Sequence, residues 1–119
     1  SSDCFGSVMA LSGDGTTLVV GAHREDSAAT GVSGDDSIEG ADDSGAAYLY
    51  TRSGDTWSFA NFIKASNAES GDAFGYSCAL NNDGNTLFVG ARYEDGGESG
   101  IGGNQGLNNS LYAGAVYLY

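Results

Sequence analysis

Short apolar runs alternate along the chain with clusters of Gly, Asp, Asn and Ser, the pattern of strands separated by turns. A first strand is predicted over residues 5–11, closing on the turn Ser12-Gly13-Asp14-Gly15, whose Asp-Gly pair is a strong hairpin signal. A second covers residues 17–22, where Leu18, Val19 and Val20 are apolar in succession, so both of its faces should be covered. Gly21 and Ala22 end it with side chains small enough for a close backbone approach. A long loop, residues 23–44, leads to a third strand over residues 45–50. The turn Arg52-Ser53-Gly54-Asp55 then brings in a fourth, residues 57–65, with Trp57, Phe59, Phe62 and Ile63 as its strand formers. Nothing reads as a helix, and 20 glycines argue against one.

The pattern is then written a second time. Phe5-Gly6 returns as Phe74-Gly75, Asp14-Gly15 as Asp83-Gly84, Val20-Gly21-Ala22 as Val89-Gly90-Ala91, and Tyr48-Leu49-Tyr50 as Tyr117-Leu118-Tyr119, all with a period of 69 residues. Strands are therefore expected at residues 74–80, 86–91 and 114–119, with a second long loop over residues 92–113. Such a period marks units that cannot bury their own apolar face and must stack on a neighbour. The fold class expected is all-β: two tandem antiparallel units, residues 1–69 with four strands and residues 70–119 with three. The second unit lacks its outer strand, and an uncovered edge is a site for pairing with another chain.

Charge narrows the partners. Sixteen acidic against four basic residues give a formal net charge of −12. A phosphate backbone or an anionic membrane would be repelled. No apolar run approaches the roughly 20 residues of a membrane-spanning helix, and nothing resembles a signal peptide. The start Ser1-Ser2-Asp3, without Met, fits a processed product or a segment of something longer. Cys4 and Cys78 fall at different repeat positions and lack metal-site spacing. Two readings stand for them: a disulfide in an oxidising compartment, or two buried thiols.

One constellation suits a cation. In Asp35-Asp36-Ser37-Ile38-Glu39-Gly40-Ala41-Asp42-Asp43, the oxygens of Asp35, Ser37, Glu39 and Asp43 fall around Gly40 with the spacing of a calcium loop, so Ca²⁺ is the one cofactor the sequence offers. The competing reading is a solvated acidic loop. In the second loop Asn104, Gly106, Asn108, Asn109 and Tyr112 take the equivalent places and most of the charge is gone. Glu25-Asp26 and Glu94-Asp95 occur in both copies and could add ligands or fix the base of the loop. Asn108-Asn109-Ser110 is a glycosylation sequon. Catalysis has little to stand on. His23 is the lone histidine, no serine lies in a nucleophile-elbow context, and the adjacent Asp42-Asp43 is a weak stand-in for a glycosidase pair.

Phe-Gly opening a strand, Val-Gly-Ala after the hairpin, and Gly-Ala-x-Tyr-x-Tyr together resemble FG-GAP repeats, over nearly the whole chain and twice. The likeness extends to Asp72-Ala73-Phe74-Gly75-Tyr76-Ser77, to Gly103-Asn104-Gln105, and to Thr51-Arg52-Ser53-Gly54-Asp55-Thr56-Trp57 with Ile63-Lys64-Ala65-Ser66. The resemblance implies blades of a β-propeller of the kind found in integrin α-chain heads and in secreted bacterial proteins. Two departures matter. The Pro of the family's Gly-Ala-Pro is replaced by His23 and Arg92, and the Asp-rich calcium loop of integrin blades is reduced to a short hairpin with Asp14.

A closed propeller typically needs about four to eight blades, so two repeats imply a longer array or an assembly of copies. The reading that follows is a non-enzymatic, extracellular or cell-surface protein with a structural or adhesive role, its partners other copies of itself or further repeats, with glycans as possible decoration. Phe5, Phe74, Val20, Val89, Tyr48 and Tyr117 are expected to carry the packing between blades. The alternative is a fragment of a closed, lectin-like or protein-binding propeller, with an enzyme requiring groups from outside this segment.

Overall fold

The computed structural model describes residues 3–28, 30, 40–94 and 114–119. These form seven strands: β1 (Val8–Leu11), β2 (Thr17–Ala22), β3 (Ala46–Ser53), β4 (Thr56–Ile63), β5 (Phe74–Leu80), β6 (Leu87–Ala91) and β7 (Ala115–Leu118). They make two antiparallel meanders, a four-stranded sheet in the order β1-β2-β3-β4 and a three-stranded sheet in the order β5-β6-β7. No helix occurs among the described residues. The all-β architecture of two propeller-type blades, the second with three strands, is thus as the repeat predicts.

Local chemistry explains the turns. The Asp14 carboxylate accepts hydrogen bonds from Ser12 Oγ at 2.7 Å, Thr16 N at 3.0 Å and Thr16 Oγ1 at 2.7 Å. Those donors favour the charged carboxylate and hold its pKa below the usual value. Across the second hairpin the sheet is tighter than the sequence suggests. β3 continues to Ser53, because Arg52 pairs with Trp57 and stacks its guanidinium 5.9 Å from the ring centroid. Only Gly54 and Asp55 are left to turn.

The two sheets pack face to face through β5, which contacts β1, β2 and β3. One side of the core comes from the first sheet, with Ala10, Val19, Ala47, Leu49 and Ile63. The other comes from Cys78, Leu80, Leu87, Val89, Tyr117 and Tyr119. At the start of β5 the approach is closest. Phe74 N–H donates to Ser44 O at 2.8 Å and Ala73 N–H to Asp43 O at 3.1 Å, and Gly45 bridges Phe74 in parallel register. A Cβ on Gly45 would fall on the Phe74 backbone, and one on Gly75 on the Ala46 carbonyl oxygen, so both positions require glycine.

The expected packing residues divide. Phe74, Val20, Val89 and Tyr117 are buried, whereas Tyr48 is half-buried. Phe5 is a correction: it is 56% exposed, lies before β1, and touches Tyr48 edge-on at 5.2 Å. Its counterpart Phe74 is fully buried because a neighbouring sheet covers it. Burial of a Phe-Gly phenyl depends on the blade before it.

Candidate functional site

Each blade has a buried polar node where the chain leaves its second strand. In the first, Glu25 N–H closes a turn onto Ala22 O, and Glu25 O accepts from Gly45 N–H at 2.9 Å. The carboxylate turns inward, accepting from Ser27 N at 3.1 Å and Ser27 Oγ at 3.0 Å. Lys64 arrives from the end of β4, one residue past Ile63, with no exposed surface. Its Nζ donates to Glu25 Oε2 at 2.8 Å, Ser27 O at 2.6 Å and Ser44 Oγ at 2.6 Å. A lysine is almost never fully buried unless paired, and here all three ammonium donors are used. The node clamps the base of the first long loop to both β3 and β4, which is the loop-fixing role foreseen for Glu25.

In the second blade Glu94 has the place of Glu25. Its carbonyl accepts from Gly114 N–H at 2.8 Å, the counterpart of the Gly45 bond, and its side chain is buried. Two of its partners are neutral: Asn67 Nδ2 donates to Oε1 at 3.1 Å, and the Tyr117 hydroxyl to Oε2 at 3.1 Å while also reaching Asn67 Oδ1 at 2.7 Å. Asp72 is buried beside it and accepts from Glu69 N–H at 3.0 Å. Burial, and then the charge of Glu94, push the Asp72 carboxyl up to about 7. The Tyr117 hydroxyl is also raised, by burial and by Glu94. Among the described residues no ammonium or guanidinium pairs with this carboxylate pair.

A groove of about 300 Å³ opens along the seam between the blades, lined in part by His23, Arg24, Asp43, Tyr76, Arg92 and Tyr93. The Arg92 guanidinium lies 4.9 Å from the ring centroids of both Tyr76 and Tyr93, and donates to the Tyr76 hydroxyl at 2.8 Å. His23 packs edge-on against Tyr76 at 5.3 Å with Nδ1 3.0 Å from Ser7 Oγ. The two positions where the family's proline is replaced, His23 and Arg92, therefore meet in one groove.

Of the residues singled out for calcium, Asp35, Ser37 and Glu39 lie outside the described residues, as does the sequon Asn108. Asp43 is described. It is exposed, with φ +53°, and its N–H donates to Asp26 Oδ1 at 2.9 Å. Among the described residues no group of three or more acidic, His or Cys side chains is placed to hold a metal. Asp42 is exposed and accepts from Gly71 N–H at 2.8 Å. No bond joins Cys4 to Cys78: the first is exposed, the second half-buried, with its thiol pushed up to about 11 by burial. Both readings are corrected: the disulfide is not formed, and of the two thiols Cys4 is exposed rather than buried. Lys64 was missed because a charge in a strand reads as surface. The signal that could have found it is a single ammonium set between Ile63 and Ala65 in a chain whose Glu25 recurs as Glu94.

A family model described as FG-GAP repeat matches residues 57–119. No curated protein and no solved structure matches the chain. The matched span begins within β4 and ends past β7, so one family unit supplies the outer strand of one sheet and the three strands of the next.

Proposed function

Since the chain belongs to the FG-GAP repeat family, a family of propeller-type repeat modules, we propose that it is a non-enzymatic building block of an extracellular or cell-surface array, working by head-to-tail stacking of its blades. The observation that carries this is a match between the seam inside the molecule and the two faces outside it. Shifting the first-sheet side of the seam (Ala10, Val19, Ala47, Leu49) by one repeat gives Ala79, Phe88, Val116 and Leu118. That is the outward face of the second sheet, where Val116 is 72% and Leu118 65% exposed. Shifting the second-sheet side back gives Met9, Leu11, Leu18, Val20, Tyr48 and Tyr50, the outward face of the first sheet, with Met9 63% exposed. Each outward face is thus the repeat-equivalent of one half of an interface the molecule already makes. A second copy can dock on either face as the second blade docks on the first.

Such a contact is heterologous, closing into a ring or running on as a filament according to its rotation. The same proposal takes Ca²⁺ at Asp35, Ser37, Glu39 and Asp43 and a glycan at Asn108 as accessories of the array. The basic, aromatic groove along the seam favours the alternative, a ligand-binding propeller. Among the described residues no helix is long and apolar enough to cross a membrane.

The test uses two variants, each spoiling one face: Leu11→Asp and Leu118→Asp. Alone, each should abolish the concentration-dependent assembly of the parent chain in sedimentation velocity, because one face cannot propagate. Mixed, they should give a discrete dimer through the two intact faces. A parent chain that stays monomeric at high concentration, or a mixture that gives no dimer, sinks the building-block reading. Discrete closed particles in electron micrographs would move the search to the groove.

A further inference from the structure

Cationic side chains are scarce in this chain, four Lys and Arg and one His against sixteen acids. Lys64 is enclosed in the Glu25 node, and Arg52 lies over Trp57. The others, His23, Arg24 and Arg92, all line the groove along the seam. The fold gathers them because both blades leave their second strand there: His23 and Arg24 follow β2, and Arg92 follows β6. Backbone bonds hold the two segments, Arg24 N–H to Asp3 O at 3.3 Å and Tyr93 N–H to Asp72 O at 3.1 Å. Among the described residues neither arginine has a carboxylate partner, although Asp43 lines the same groove. Arg92 is held instead by the rings of Tyr76 and Tyr93, and gives one N–H to the Tyr76 hydroxyl. Stacking uses the face of a guanidinium and leaves N–H groups on its edge to fork onto a planar anion.

We propose that this groove binds a carboxylate-bearing saccharide of the uronic-acid type. Arg24 and Arg92 take its carboxylate, Asp43 accepts from its hydroxyls, and Tyr76 and Tyr93 lie against the sugar ring. The cleft of about 300 Å³ is at the small end of small-molecule sites, which suits a short stretch of sugar better than a folded partner. A uronic acid has one carboxylate on a ring of hydroxyls, the complement of two guanidiniums, one carboxylate and two amphipathic aromatic rings. An acidic peptide brings carboxylates without hydroxyls, and Asp43 repels it. A multiply charged phosphate or sulfate meets the field of a chain with net charge −12. The His23 ring is fixed by Ser7 Oγ at Nδ1 and by the edge of Tyr76, so Nε2 is its other polar atom for the ligand. The inference rests on the ligand-binding reading of the groove. It does not depend on stacking, since no groove residue belongs to the two outward sheet faces.

The experiment is isothermal titration calorimetry of the parent chain with trigalacturonic acid. Its methyl ester is the uncharged control, and triglutamate the control with carboxylates but no hydroxyls. The acid should bind at least about tenfold more tightly than either control, because only it satisfies both the guanidiniums and Asp43. Arg24→Gln and Arg92→Gln should each remove most of that margin, whereas Arg52→Gln, at the second hairpin, should leave it unchanged. Circular dichroism checks that each variant is folded, and the exposed Arg24 keeps the test independent of the stacking of Arg92 on its tyrosines. An ester that binds as tightly as the acid, and is lost in Tyr76→Ala, would overturn the carboxylate assignment while the ligand-binding reading stood. No binding of any probe, or tighter binding of triglutamate, would overturn the proposal.

Discussion

Replacing Lys64 by Met tests whether the buried ion pair holds the first blade together. The substitution keeps an unbranched stem of similar length in the same space and removes only the ammonium. What remains is a Glu25 carboxylate that is 4% exposed and has Ser27 N and Ser27 Oγ as donors, together with a Ser27 carbonyl that loses its 2.6 Å bond. Breaking one partner out of a buried pair costs about 3–5 kcal/mol, because the surviving charge stays desolvated. A domain of this size is stable by about 5–15 kcal/mol in total, so the loss is a large fraction of the whole. With a urea m-value of about 2 kcal/mol/M, the unfolding midpoint should fall by about 2 M.

The double variant Glu25→Gln/Lys64→Met separates the pair from its surroundings. Neutralising both partners removes the stranded charge, so the double variant should be more stable than Lys64→Met alone, with a coupling energy of about 2 kcal/mol. Urea melts of all four chains by circular dichroism complete the cycle. A loss under about 1 kcal/mol for Lys64→Met, or a double variant that loses the sum of the two single changes, would refute the view that Lys64 neutralises Glu25.

Two further outcomes follow from the seam and the second node. The Asp72 carboxyl is held up to about 7 in the folded chain, against about 4 unfolded, so the folded state keeps its proton more tightly. That contribution to stability is full below pH 4 and is lost as the pH rises through about 7; the Asp72→Asn chain should gain stability relative to the parent over that range, and parallel urea-midpoint curves would exclude the assignment. Gly45→Ala should cost about 3 kcal/mol or more in thermal melts, because its φ of +83° and the Phe74 backbone both oppose a Cβ. Gly54→Ala, at φ +60° in an open turn, should cost only about 1 kcal/mol, and equal losses would show that the seam is not as tight as described.

The limits of β2 were legible to the residue, because three apolar residues in succession bounded by a hairpin and a Gly-Ala pair admit few alternatives. The three-residue extension of β3 was not: Arg52 looks like a turn residue until Trp57 is found across from it. Phe5 was misjudged for a related reason. Phe-Gly marks where a blade meets the one before it, so the same dipeptide is core in the second repeat and surface in the first. The Lys64 node was legible only as a lone ammonium between Ile63 and Ala65, since nothing local reveals that residues 25, 27, 44 and 64 meet. The acidic loop, the strongest chemical signal in the sequence, falls mostly outside the described residues.

The first repeat holds the shape of a docked blade without a neighbour to impose it. At the seam, Ala73 has φ +54° and Gly75 φ +83°, with Phe74 between them inserted against Ser44 and Gly45. At the other end, Cys4 has φ +55° and Gly6 φ +84°, yet a Cβ on Gly6 would meet nothing within 4 Å. A non-glycine residue in that left-handed region costs roughly 1–2 kcal/mol, so Cys4 carries a conformational penalty that the seam does not impose on it. The backbone is bent there by its own bonds, Ser7 N–H to Cys4 O and Gly6 N–H to Gly21 O, both at 3.1 Å. Binding surfaces set in their bound form avoid the ordering cost that weakens flexible ones. In the proposed assembly, the Cys4-Phe5-Gly6 segment already has the backbone form that entering a Ser44–Gly45 type notch requires.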